Sequence, residues 1–200
     1  MVRPALFLDR DGVINEYRPY VHRIEDFDFV DGIFDLVAAA GRAGRATVVV
    51  TNQAGIGRGL YTEDDFHRLT DWMIERFADR GCRVDRVLFC PTHPEHGIGP
   101  YRAESDFRKP GPGMVLQAAR ELSLDLPRSI LVGDKLSDIA AGRAAGVGTN
   151  VLYRAPSADE SVGADDVRRD VGRYLTVADL RDVIPLLGPD GGSGAAPRPH

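Results

Sequence analysis

Asp9 and Asp11 stand one residue apart in Phe7-Leu8-Asp9-Arg10-Asp11-Gly12, at the end of a wholly apolar run. Carboxylates this close repel each other, and a cation or a shared proton must offset the repulsion. Such a pair is either an ion site or a reactive site. Asp9 could attack phosphorus while Asp11, just beyond the turn, exchanges a proton with the leaving group. The alternative is a capping acid followed by a turn acid. Three further groups could join them: Thr51-Asn52-Gln53 after a second apolar run, Arg108-Lys109-Pro110 after a long loop, and Gly133-Asp134-Lys135-Leu136-Ser137-Asp138 after another apolar run. Three carboxylates, an ammonium and a hydroxyl together fit a phosphate bridged by magnesium, for which Asp9, Asp134 and the Asp11 carbonyl suffice as protein ligands. Lys109 and the Thr51 hydroxyl would then hold the non-bridging oxygens.

Other features weigh less. Of 25 basic residues only Lys109 and Lys135 are lysine, which points to these two as places where a compact ammonium is needed. Ala54-Gly55-Ile56-Gly57-Arg58-Gly59 is glycine-rich enough for close backbone approach to an anion but lacks the lysine and spacing of a P-loop. Cys90, His93 and His96 invite a zinc reading, yet no fourth ligand stands near them. Arg18, His22, Arg58 and Arg108 are candidate anion contacts. A net charge of -5 argues against nucleic acid or an anionic membrane as partner. Two cysteines and an opening without an apolar signal region suit a cytoplasmic protein, acting as a monomer or weak homo-oligomer.

The elements that must position these residues follow from the hydrophobic pattern. Strands are predicted at 5–8, 46–50, 84–90, 129–132 and 149–152, from continuous apolar or β-branched runs. Helices are predicted at 31–42, 63–80, from the prolines at 110–113 through Leu122, at 139–146 and at 176–187. Residues 13–30 read as an irregular excursion over the site, 91–109 and 154–175 as loops, and 188–200 as a disordered tail beyond one domain of residues 1–187. The β-α alternation predicts an α/β fold, a Rossmann-like parallel sheet with helices on both faces, whose strand tips bring Asp9, Asp11, Thr51, Asn52, Lys109 and Asp134 to one edge.

In order and spacing, Asp9-x-Asp11-Gly12, Thr51, Lys109 and Gly133-Asp134-x-x-x-Asp138 resemble the four motifs of the haloacid dehalogenase (HAD) superfamily. Residues 8–15, 51–59, Cys90-Pro91-x-His93-Pro94 and 107–110 are similar to the bacterial heptose bisphosphate phosphatases and the related histidinol-phosphate phosphatases. The resemblance implies a Mg²⁺-dependent phosphatase without a large cap domain, acting on a small phosphorylated sugar through an aspartyl-phosphate. It implies Asp9 as nucleophile, Asp11 as acid/base, Thr51, Asn52 and Lys109 on phosphate, and Asp134 on magnesium. Arg108 and the Gln53–Arg58 loop would contact the sugar or its second phosphate. Lys135 would neighbour the metal-binding acid, and Asp138 would be supportive rather than a direct ligand. That subfamily usually carries a loop zinc; here the corresponding positions are Cys90, Thr92, Ser105 and Phe107, so zinc is expected to be absent. A non-catalytic phospho-receiver is the alternative class, and Asp11 argues against it.

Overall fold

The computed structural model of the chain describes residues 2–155 and 173–188. A single sheet of six parallel strands carries the site: β1 (Ala5–Leu8), β2 (Ala46–Asn52), β3 (Arg86–Cys90), β4 (Ile130–Gly133), β5 (Thr149–Tyr153) and β6 (Leu175–Val177), in the order β3-β2-β1-β4-β5-β6. All four side chains of β1 are buried. They alternate between two cores: Leu6 and Leu8 face Ile33, Leu36, Met73 and Phe77, whereas Ala5 and Phe7 face Met114, Val115 and Ala118. The first set belongs to α1 (Ile33–Arg42) and α3 (Glu63–Ala78), the second to α4 (Gly113–Leu122). Helices on both faces are why the central strands read as unbroken apolar runs.

Three elements depart from the sequence expectation. The helix expected over 176–187 is instead strand β6 followed by a 3-10 helix, Leu180–Leu187. β6 is an edge strand with Leu175 and Thr176 exposed, so it shows no buried pattern, while Leu180, Val183 and Leu187 pack into the core at a spacing that mimics an α-helix. Pro185 removes an amide donor from that segment. Secondly, the glycine-rich stretch holds one helical turn, α2 (Ala54–Gly57), and α5 (Leu136–Ala145) starts three residues earlier than expected. Most of the loop expected at 154–175, and the tail from 189 on, lie outside the described residues. Among the described residues no helix is long and apolar enough to cross a membrane.

Candidate active site

Strand register delivers the acids. β1 and β4 pair with Leu8 opposite Val132, and the ladder runs one step further, Asp9 N–H donating to the Val132 carbonyl at 3.0 Å. Asp9 and Asp134 therefore leave adjacent strand ends side by side. One carboxylate oxygen each from Asp9, Asp134 and Asp138 lies within 4.8 Å of the others. Two glycines make the approach possible. A Cβ on Gly12, whose φ is +91°, would meet Asp134 Oδ2 at 2.4 Å, and one on Gly133 would meet the Asp138 Cβ at 2.2 Å.

Lys109 enters this cluster from the loop after β3 and is pinned by Asn52 at the end of β2. Asn52 Oδ1 accepts from Lys109 N–H at 3.0 Å, and Asn52 Nδ2 donates to the Lys109 carbonyl at 3.1 Å. The lysine is 5% exposed. Its Nζ lies 2.9 Å from Asp9 Oδ1 and 2.5 Å from Asp138 Oδ1, and donates to the Val50 carbonyl at 2.9 Å. Burial alone would discharge it, but Asp138 and Asp9 outweigh burial and raise it above the ordinary lysine range. Asp138 divides its two oxygens: Oδ1 faces Lys109 and Oδ2 accepts from Lys135 N–H at the start of α5.

Asp134 lacks such a partner. Its Oδ1 is buried with no hydrogen bond among the described residues, and Lys135 Nζ stands 3.7 Å from Oδ2. Burial, with the Asp9 carboxylate adding to it and Lys135 opposing, pushes Asp134 up to about 8. Three clustered carboxylates, one with an orphaned oxygen, against a single buried ammonium form a donor set that fits a hard divalent cation.

Asp11 lies outside that cluster and is held separately. Arg10, 1% exposed, reaches its two carboxylate oxygens through Nη2 at 2.7 and 2.8 Å; Asn15 Nδ2 and Gln53 Nε2 donate to it at 3.2 and 3.0 Å. Gln53, expected with its loop to contact the sugar or its second phosphate, is 1% exposed. Its amide is spent on Asp11, the Thr51 hydroxyl at 2.8 Å and the Tyr61 hydroxyl. Neither Arg10 nor Tyr61 had a role assigned from sequence. An arginine flanked by two aspartates just past a buried strand is the available signal for the first, and the bond from Tyr61 to Gln53, eight residues back across a helical turn, leaves none.

Asp9, Asp11, Asn52, Lys109 and Asp138 line a cavity of about 520 Å³, which also receives Arg18, Arg58, Arg108, His93 and Lys135. Arg108 Nη1 donates to the Thr92 carbonyl at 3.2 Å, and Arg58 lies over the Tyr20 ring, 5.6 Å from its centre. Lys135 Nζ sits 4.8 Å from the centre of the Tyr17 ring. Arg18 pairs with Asp28, and His22 stacks on Tyr61. The loop from 91 to 108 is tied by main-chain bonds, His93 N–H to the Tyr101 carbonyl and Ile98 N–H to the Gly57 carbonyl, while Cys90 Sγ contacts Thr92 Oγ1 at 3.3 Å.

A family model described as HAD-hydrolase-like matches residues 106–179. The D-glycero-alpha-D-manno-heptose-1,7-bisphosphate 7-phosphatase of Burkholderia mallei is 55% identical, the match covering 96% of this chain and 100% of that one. The D-glycero-beta-D-manno-heptose-1,7-bisphosphate 7-phosphatase of Vibrio cholerae is 48% identical over 88% of this chain and 97% of the relative. Among solved structures, the D,D-heptose 1,7-bisphosphate phosphatase of B. bronchiseptica, complexed with magnesium and phosphate, aligns with a TM-score of 0.73 at 27% identity, covering 92% and 97% of the two chains. A HAD-like phosphatase structure from Mesorhizobium loti aligns at 0.82 and 35% identity, covering 96% and 90%. Sharing more than half its residues with a relative along that relative's whole length, the chain belongs to the heptose bisphosphate phosphatases of the HAD-like hydrolases.

Proposed function

We propose that this phosphatase removes the C7 phosphate of D-glycero-D-manno-heptose 1,7-bisphosphate, with the phosphoryl group carried transiently on Asp9. The observation that carries the reading is the meeting of Asp9, Asp134, Asp138 and Lys109 in one cluster, of which Asp9, Asp138 and Lys109 line the cavity together with Asp11. Asp9 Oδ1 is engaged by Arg10 N–H at 2.7 Å and by Lys109, so attack on phosphorus falls to Oδ2. The Asp9 Oδ2–P bond forms, the P–O7 bond breaks, and Asp11 gives its proton to the departing sugar oxygen. A water then attacks phosphorus, its proton passes to Asp11, and the Asp9 Oδ2–P bond breaks to free the carboxylate and inorganic phosphate.

Lys109, Asn52 and the Thr51 hydroxyl bind the phosphoryl oxygens. Because Gln53 donates to Thr51 Oγ1, the threonine's own proton is free to be donated onward. Asp9, Asp134 and the Asp11 carbonyl would hold Mg²⁺, with Asp138 behind them; the ion would supply positive charge that offsets carboxylate repulsion and stabilises charge on the phosphoryl group. Arg58 and Arg108 are suited to the second phosphate. Zinc has no place in this account, since Thr92, Ser105 and Phe107 offer no ligand set with Cys90.

The α anomer is the preferred substrate in this reading, because the Burkholderia relative carries that name and aligns end to end. The test is turnover of both anomers side by side, with ³¹P NMR identifying the phosphate that leaves. Faster loss of the C7 phosphate from the α anomer is expected. Hydrolysis of simpler sugar monophosphates in preference to either bisphosphate would overturn the assignment.

A further inference from the structure

Asp11 can act on the sugar oxygen only if its carboxylate keeps one orientation while substrate enters and leaves. Three side chains set that orientation: Arg10 from its own turn, Asn15 from the following one, and Gln53 from across the sheet edge. An amide presents either face equally well in shape, and with the wrong one its oxygen would oppose the carboxylate. What breaks the tie for Gln53 is Tyr61. The phenol donates to Gln53 Oε1, which turns Nε2 toward Asp11 Oδ2 and Thr51 Oγ1.

Tyr61 is built in for this. Its ring is 7% exposed, lies parallel to His22 with centres 5.0 Å apart, and occupies the room that a side chain on Gly55 would take, where a Cβ would meet Tyr61 Cε1 at 2.2 Å. Burial raises the phenol's pKa, so it remains a donor.

We propose that Tyr61, acting through Gln53, is a positioning residue for the acid/base Asp11, so that its hydroxyl governs proton delivery to the leaving sugar without touching substrate. This rests on Asp11 having the role given above, and the experiment separates the two claims. Tyr61→Phe deletes only the hydroxyl and keeps the ring in its slot. Leaving-group release in the first turnover is measured on heptose bisphosphate, whose alkoxide needs a proton, and on p-nitrophenyl phosphate, whose phenolate does not. Release from the sugar should slow on the order of tenfold, a fraction of what a complete general acid contributes, with KM little changed. Release of p-nitrophenolate should stay within about twofold. In an Asp11→Asn background Tyr61→Phe should add no further loss on the sugar substrate, since residues that act through one another are not additive.

Equal slowing on both substrates, no slowing on the sugar, or a full additional loss in the Asp11→Asn background would overturn the role of Tyr61. If Asp11→Asn alone slows both substrates equally, it is the acid role of Asp11 that fails. Thermal unfolding of Tyr61→Phe within a few degrees of the parent shows that the readout is not lost folding.

Discussion

Replacing Lys109 by methionine keeps an unbranched apolar stem one atom shorter and removes the ammonium that contacts both Asp9 and Asp138. At an effective dielectric constant of about 20, an ammonium 2.9 Å from one carboxylate and 2.5 Å from another attracts each by roughly 6 kcal/mol. Most of that attraction offsets the cost of taking Lys109, at 5% exposure, out of water. What the mutant loses is larger than the small net remainder, because the carboxylates stay behind unpaired in a buried site. Breaking such a pair costs about 3–5 kcal/mol, or roughly 6–20 °C in Tm for a chain of this size. Urea unfolding in EDTA at pH 7 measures it. Adding Asp138→Asn, which keeps an oxygen for the Lys135 amide, should restore about 1–3 kcal/mol, because one stranded charge is gone. A cost below about 1 kcal/mol for Lys109→Met, or a double mutant that sums the single losses, would refute the argument that the lysine holds the acids together.

Asp134, raised from the ordinary 3.8 to about 8 by burial and by Asp9, is mostly protonated at pH 7 in the metal-free fold. A folded pKa above the unfolded one means that its contribution is fully present at low pH and is lost as pH rises. Tm in EDTA should therefore decline from pH 5 towards pH 8, and Mg²⁺ should restore more at pH 8 than at pH 6. Magnesium binding at pH 7 should also release close to one proton; calorimetry in two buffers of different ionisation enthalpy reads this, and a buffer-independent heat would contradict it. Gly133→Ala forces a Cβ to 2.2 Å from Asp138 and should cost about 1–3 kcal/mol and most of the turnover. Gly41→Ala, in open space within α1, should stabilise by about 0.5–1 kcal/mol and leave turnover unchanged, as unfolding and steady-state assays would show.

The parts of this fold legible from sequence are those where burial is two-sided and local. Ala5–Leu8, Ala46–Val50 and Ile130–Val132 are buried apolar or β-branched runs because helices cover both faces of the sheet, and a polar site residue (Asp9, Thr51, Asp134) follows each within two residues. β6 carries no sequence signal, because an edge strand of three mostly exposed residues has no pattern to show, and the 3-10 helix after it carries helical spacing without α-helical backbone. At the site, Asp9 and Asp134 could be read together because parallel strand order puts both at one sheet edge, and Lys109 joins them from the loop after β3 through its pairing with Asn52. The task of Gln53 and the direct contact of Asp138 with Lys109 could not be read. Gln53 sits next to two residues at the phosphate end of β2, and only the contact with Tyr61, eight residues on and beyond a helical turn, draws its amide behind the cavity wall. Asp138 lies within the carboxylate cluster because Gly133 lets the first turn of α5 close onto the end of β4.

The central claim is that Asp9 carries the phosphoryl group. Its most direct test is borohydride reduction of enzyme quenched during turnover, which converts an acyl phosphate to the alcohol, followed by peptide mass spectrometry. Homoserine at position 9, absent from unreacted enzyme and from Asp9→Asn, is the predicted result. An unmodified Asp9 in enzyme that is turning over, or reduction at another carboxylate, would contradict the account.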